Sequence, residues 1–189
     1  GIGARFDDRT TGLVEKYAPC AKNIISVNVD PESFGKTIKS NLNVCAKSED
    51  FIREIKDLLQ FNIPDNSWHN FLAYIKGING FNYRIPEGRK LNTPMVISKL
   101  NELTLGRDAI FTTGVGNHQM MAYQFIKGDY PGKIHSSGSL GVMGAGLPYA
   151  IGCQIANPGK LVIDIDGDSS FLMTMSDMKT AVENNLPIK

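Results

Sequence analysis

The 189 residues carry 20 Lys and Arg against 19 Asp and Glu, a formal charge of +1, so charge gives no reason to expect a nucleic acid or an anionic membrane as partner. A hydrophobic share of 42% with 21% charged residues excludes a disordered chain, and no apolar run approaches the roughly 18 residues that cross a bilayer. Length falls between one and two ordinary domains, three cysteines without C-x-x-C spacing read as small buried hydrophobes in a reducing compartment, and the 19 glycines bunch at the N-terminus, near 114–116 and over 138–152.

Gly1 to Arg9 reads as a loop, and the β-branched run Ile24 to Val29 as a buried strand stopped by Asp30-Pro31. Ser48 to Leu59 predicts a helix with Ser48 as its cap and Phe51, Ile55, Leu58 and Leu59 on its packed face. Asp65 to Ile78 repeats the pattern with Trp68, Leu72 and Ile75, after which periodicity is lost and a linker is expected. Asn92 and Pro94 then open a helix with Val96, Leu100 and Leu103 as its apolar stripe. Strand 109–112, helix 118–126, strand 133–136, helix 145–156, strand 161–165 and helix 170–183 follow. Such alternation predicts an α/β fold, parallel sheets flanked by helices, with ligands at the C-terminal ends of the strands.

Three of those strand ends carry unusual loops. In Leu161-Val-Ile-Asp-Ile-Asp-Gly-Asp-Ser-Ser-Phe171 a strand runs into Gly167-Asp168 and a helix start, so Asp168 is placed either to hold Mg²⁺ against a diphosphate or to form a plain turn capped by Ser169 or Ser170. In Ser136 to Pro148, Gly144-Ala-Gly146 is followed by Pro148 and bulky Tyr149, which rules out a dinucleotide fingerprint. Met143 among glycines is either an apolar wedge against a ligand ring or a core methionine. In Thr112 to Met120, Asn117 and His118 start a helix, where they reach a phosphate or a reacting carbonyl, or act as caps. Three such loops on one sheet edge make a cofactor site the economical reading.

The series Thr113-Gly-Val-Gly-Asn-His-Gln119, Ser136-Ser-Gly-Ser-Leu-Gly-Val-Met-Gly-Ala-Gly-Leu-Pro148 and Asp164-Ile-Asp-Gly-Asp-Ser-Ser-Phe171, preceded by Gly3-Ala-Arg-Phe-Asp-Asp-Arg9, resembles the large catalytic subunit of the acetolactate synthase family over nearly the whole chain. The resemblance implies thiamine diphosphate, Mg²⁺ and a non-redox FAD as cofactors. It gives residues 1–62 as the C-terminal part of a middle, FAD-binding domain, 63–91 as a helix and linker, and 92–189 as the N-terminal part of a thiamine diphosphate-binding domain.

Residue by residue, it implies Asp168 as Mg²⁺ ligand, with Gly167 and Ser169 along the diphosphate, and Val115, Gly116, Asn117 and His118 on the diphosphate side. Gly141, Val142 and Met143 would hold the aminopyrimidine, Met143 forcing the cofactor into the bent form in which its 4′-imino nitrogen meets the thiazolium C2–H. Gly3, Ala4, Arg5, Phe6 and Asp7 would follow the FAD, with Asn28 and Val29 at its adenosine end. Asn28 stands where relatives often have Asp, and Ala46-Lys47 where they have Gly-Asp.

The activity implied is a carboligase that condenses pyruvate with a second 2-ketoacid to acetolactate or acetohydroxybutyrate, releasing CO₂, in branched-chain amino acid synthesis. A homodimer or homotetramer, a possible regulatory small subunit, and a cytoplasmic or organellar rather than secreted location go with it. The alternatives are another thiamine diphosphate enzyme, such as glyoxylate carboligase or a 2-ketoacid oxidase or decarboxylase, and a non-catalytic nucleotide-binding module. Both ends of the chain are expected to be cut, because Asn185 to Lys189 reads as the entry to a strand and the Asn-rich turn that completes the Mg²⁺ site in that family lies beyond it. An isolated fragment of this kind is expected to be inactive.

Overall fold

Two units make up the chain, Gly1–His69 and Asn70–Lys189, and the computed structural model describes residues 1–59, 66–80, 88 and 91–189. In the first unit, helix α1 (Asp8–Thr11) starts where the Asp7 side chain accepts a hydrogen bond from the Thr10 N–H at 3.0 Å. Strands β1 (Ile25–Asn28) and β2 (Leu42–Cys45) pair in parallel with Ile25 opposite Leu42, and Ile2 bridges Val27 on the other side. Val27, 1% exposed, anchors this small sheet. Helix α2 (Ser48–Lys56) follows, with Lys47 rather than Ser48 at the cap position and no side-chain cap bond. The cysteine expectation fails here, since Cys20 and Cys45 are exposed and only Cys153 is half-buried.

Helix α3 (Ser67–Asn79) forms where the periodicity placed it, but Trp68 and Leu72 of its apolar face are exposed. The linker expected over 77–91 lies largely outside the described residues.

In the second unit, α4 (Thr93–Thr104) is opened by Asn92, whose Oδ1 accepts from the Met95 N–H at 3.1 Å, with Pro94 in the first turn. Its buried residues are Pro94, Ile97 and Thr104, while Val96 and Leu103 are exposed at 52% and 61%. The apolar stripe is therefore Ile97 and Leu100, about one residue of rotation from the expected one, because Ile97 meets Phe111, Ala122 and Ile126.

Strands β3 (Ala109–Thr113), β4 (Ile134–Ser136) and β5 (Leu161–Ile165) form one parallel sheet in the order β4-β3-β5. Helices α5 (Asn117–Phe125) and α6 (Gly146–Ala156) connect them. Residue parity divides the sheet: Ala109, Phe111 and Ile163 pack with Ala122 of α5, while Ile110 and Val162 pack with Ala150 of α6. The two connections thus leave on opposite faces, one toward β4 and one back to β5. A parallel sheet opens a crevice at such a reversal, outside the strand C-termini.

The single helix expected over 170–183 is instead α7 (Asp168–Thr174), a 3₁₀ turn (Met175–Asp177) and α8 (Met178–Glu183). It begins two residues early and breaks at Thr174, whose hydroxyl is drawn away to donate to the Gly144 carbonyl at 2.8 Å. After α8 the chain runs alongside β5, with Lys189 N donating to the Val162 carbonyl at 3.0 Å and Asp164 N to the Lys189 carbonyl at 2.8 Å. The strand entry read from 185–189 is met by these two bonds to β5 at Lys189, without a strand assigned over those residues.

Gly152, in the middle of α6, has open space around the position of a Cβ. Gly152→Ala should stabilise the second unit by about 0.5–1 kcal/mol, read as a shift of the urea midpoint, because alanine loses less backbone entropy in a helix.

Candidate functional site

Backbone geometry brings the three loops together. The Gly144 N–H donates to Ser170 Oγ at 2.9 Å in a buried bond, and the Val142 N–H to Ser137 Oγ at 3.0 Å. A Cβ at Gly141 would lie 3.9 Å from Val115, and one at Gly167 only 2.8 Å from His118 Nδ1. Gly144 has no substitute, since its φ is +80° and a Cβ would meet Met173 Cβ at 3.0 Å. Val115, Gly116, His118, Gly141, Val142 and Gly167, each picked out from sequence, therefore share one edge, with Asn117 as the first residue of α5 and Asp168 and Ser169 as the first two of α7. Met143 is 39% exposed, which sets aside the core-methionine reading, and Leu140 beside it is 86% exposed. Ser170 does not cap α7; Gly167 holds that position and Ser170 ties the loops.

Beneath the edge lies a buried polar cluster. Thr112 Oγ1 donates to Asp164 Oδ1 at 2.8 Å. A Cβ at Gly146 would sit 2.7 Å from that oxygen and 2.8 Å from Asp166 Oδ2, so two carboxylates converge under the first turn of α6, whose positive end favours them. Burial pushes the Asp164 carboxyl up to about 6, with the Asp166 charge adding and the Thr112 bond opposing. Asp166 Oδ1 accepts from the Gly167 N–H at 2.9 Å and lies 3.2 Å from His118 Nε2. Both His118 Nε2 and Asp166 Oδ2 are buried without a hydrogen-bond partner. The motif reading took Asp168 and passed over Asp164 and Asp166. The signal was parity: Val162, Asp164 and Asp166 alternate onto one side of the strand and its extension.

A cavity of about 530 Å³ opens beside the cluster, lined by Asp164, Asp166, Gly167 and Asp168 and walled by Leu147 and Phe171. Asp168 alone of the three carboxylates is exposed. Among the described residues no three His, Cys, Asp or Glu side chains gather as a metal set. Mg²⁺ is commonly bound by one or two carboxylates plus ligand phosphates, and Asp168 fits that role as a single protein ligand. Glycine-lined loops with an exposed methionine fit a diphosphate cofactor with a ring.

In the first unit, Gly3, Asn28 and Val29 line a cavity of about 480 Å³ with Lys47, Ser48 and Glu49. Asn28 is already engaged, donating to the Ala4 carbonyl at 3.4 Å and accepting from the Asp30 N–H at 3.0 Å. Arg5 and Asp7 pair with each other at 2.8 Å, and Phe6 stands edge-on to Tyr17 at 5.8 Å. Arg5, Phe6 and Asp7 do not line this cavity, whose wall carries both a cation, Lys47, and a carboxylate, Glu49.

Comparison with known proteins matches residues 1–55 to the thiamine pyrophosphate enzyme central domain and residues 114–189 to the thiamine pyrophosphate enzyme C-terminal TPP binding domain. All of the chain aligns with acetolactate synthase 1, chloroplastic, of Oryza sativa subsp. japonica, 40% identical over 193 residues and covering 30% of that protein. The mitochondrial acetolactate synthase catalytic subunit of Saccharomyces cerevisiae is 38% identical over 205 residues, and the chloroplastic enzyme of Arabidopsis thaliana 38% over 193, with all of the chain and 29% and 28% of those proteins covered. The chain spans about 30% of the length of the curated relatives it matches. No helix among the described residues is long and apolar enough to cross a membrane. The two domain matches and the parallel sheet make the chain similar to thiamine pyrophosphate enzymes over most of its length, and the relatives with which all of it aligns are acetolactate synthases.

Proposed function

We propose that this chain serves a thiamine diphosphate-dependent carboligase that condenses pyruvate with a second 2-ketoacid to acetolactate or acetohydroxybutyrate, with release of CO₂, in the synthesis of valine, leucine and isoleucine. The observation that carries the reading is the meeting of the 114–118, 141–144 and 166–170 loops at one crevice. Bound thiamine diphosphate supplies the carbanion chemistry. The chain's own part is to hold and shape it. Asp168 is assigned the Mg²⁺, Gly167 and Ser169 the diphosphate with Val115, Gly116, Asn117 and His118, and Gly141, Val142 and Met143 the ring. An exposed methionine on a loop held by the Gly144–Ser170 bond presents an adaptable apolar face against which a flexible cofactor can bend.

No step runs through a flavin; FAD at Gly3 to Asp7, Asn28 and Val29 stays a separate expectation, tested by the absorbance change on adding FAD. A homodimer or homotetramer is proposed, with exposed Leu140, Leu172 and Met173 as apolar surface for it, and a regulatory small subunit as an optional partner. The setting is an organelle, as the relatives' names state for themselves, or a cytosol.

Calorimetric titration of the chain with thiamine diphosphate should show Mg²⁺-dependent binding that Asp168→Asn weakens at least about tenfold, a loss of about 1.4 kcal/mol. In the complete gene product, Met143→Ala should lower turnover about tenfold while that binding remains. Binding indifferent to Mg²⁺ and to Asp168 would leave a nucleotide module as the better account.

A further inference from the structure

On the α5 face of the sheet, the β3–β4 ladder is apolar where Phe111 stands opposite Ile134 and turns polar at its last rung, where Thr113 stands opposite Ser136. Thr113 is fully buried, and a buried hydroxyl without a partner is costly, whereas an aliphatic pair would pack there without that cost. The two hydroxyls meet, Thr113 Oγ1 donating to Ser136 Oγ at 2.8 Å. The Gln119 side chain reaches the same oxygen from α5, its Nε2 donating at 2.6 Å. A serine hydroxyl has two lone pairs, and both are taken. Gln119 is the third residue of α5, where a glutamine can turn back onto the start of its own helix. Here Gly116 at the cap position makes no side-chain bond, and Gln119 crosses to β4 instead. The next residue, Ser137, is 9% exposed and accepts from the Val142 N–H at 3.0 Å.

We propose that Ser136 is a positioning residue of the crevice, the joint that sets the spacing between the 114–118 loop and the 141–143 loop. The inference rests on the reading of that crevice as the thiamine diphosphate site, in which the first loop is assigned the diphosphate and the second the ring. One bond to Ser136 comes from Thr113, directly before the first loop, and the other from Gln119, directly after it. That loop is thus held to β4 at both ends. Ser137 holds Val142 and so ties the second loop to the same strand end. A ligand that spans both loops binds best when their separation is set before it arrives, because ordering them during binding subtracts from affinity. Without Ser136 the first loop keeps its own supports, β3 on one side and α5 on the other. A ligand that meets the first loop alone therefore loses little.

In the complete gene product with Mg²⁺ present, calorimetric titration compares thiamine diphosphate with inorganic diphosphate. Ser136→Ala should lower affinity for thiamine diphosphate about tenfold and for inorganic diphosphate less than about twofold. Ser136→Thr keeps the hydroxyl and should restore the first. Gln119→Met leaves β4 untouched and should give the same split, and the two changes together should lose little more than either alone, because both break one bond. Equal losses for the two ligands, no loss for either, or a Ser136→Thr protein that stays weak each overturn the proposal. If Ser136→Ala does not fold, Gln119→Met decides by the same split. Peptide-level hydrogen exchange without ligand tests the joint apart from the site: Ser136→Ala should quicken exchange over 114–119 and 137–143 about tenfold and leave β5 unchanged. That pattern in a protein that binds no thiamine diphosphate keeps Ser136 as the joint and sinks the site reading. Exchange quickened equally in both loops and β5 is a merely structural role and overturns the proposal.

Discussion

Gly114→Ala should destabilise the second unit by at least about 3 kcal/mol and remove cofactor binding with it. Gly114 follows β3 at the crevice, and a Cβ there overlaps both Asp166 Oδ1 and Ser170 Oγ. Neither atom can retreat cheaply. Asp166 is tied to the Gly167 N–H and stands against His118, and Ser170 is 1% exposed and receives the buried Gly144 N–H. Moving Ser170 releases Gly144 and with it the loop that carries Met143; moving Asp166 frees the His118 ring. One methyl group therefore disturbs all three loops at once. Gly152→Ala is the matched control, since the same methyl enters open space. Urea titrations of the two variants should move in opposite directions. If Gly114→Ala unfolds at the wild-type midpoint and still binds thiamine diphosphate, the loops are not packed on one another as described.

Much of this arrangement was legible in the residues, for stateable reasons. The core strands are continuous β-branched or aliphatic runs between turn residues, and a strand buried on both faces leaves that imprint: β3 is buried at all five positions. His118 and Asp168 were visible because polar residues at the start of a helix after a strand stand at the sheet edge where α/β domains bind ligands. What stayed hidden was set by distance along the chain. Gly114 and Gly146 are ordinary glycines in sequence, and their necessity comes from carboxylates about 20 to 50 residues away. Leu42-Asn-Val-Cys45 is too short to announce a strand, and forms one because β1 supplies the ladder. The stripe of α4 went wrong because two sets of apolar residues compete on that helix, and the neighbour, Phe111, decides between them.

The Gly-Asp motif illustrates the same division. Asp168 carries the recognisable pattern, yet the two aspartates before it shape the ground on which it stands. Asp166 links the β5 loop to the α5 loop through His118, and Asp164 links β5 to β3 through Thr112. A ligand at this edge meets loops whose positions are coupled through buried carboxylates, so binding and folding of the second unit are expected to respond together to changes beneath the surface.

Asp164→Asn should make the second unit more stable at pH 8 and remove most of its pH dependence between pH 4 and 6. Burial pushes the Asp164 carboxyl from 3.8 up to about 6. The folded chain thus holds a proton that the unfolded chain gives up, and the stability this contributes is complete below pH 4 and lost as pH rises through 6. The shift corresponds to at most about 3 kcal/mol, and to about 2 kcal/mol once screening of this partly exposed side chain is allowed for. Other shifted groups among the described residues titrate elsewhere: Asp7, lowered to about 2 by its hydrogen bonds to Arg5 and Thr10, and Asp129, lowered by its bond to Lys133, act at more acid pH, and Tyr130 and Cys153 are raised from already alkaline values. The amide of asparagine keeps an oxygen to accept from Thr112 and carries no charge at any of these pH values. Urea unfolding followed at β3 and β5 amide signals should show the wild type losing stability from pH 4 to 7 while Asp164→Asn stays level, the variant leading by about 2 kcal/mol at pH 8. Parallel curves for the two proteins would mean that the carboxylate pair under α6 is already neutral, or already compensated, across the whole range.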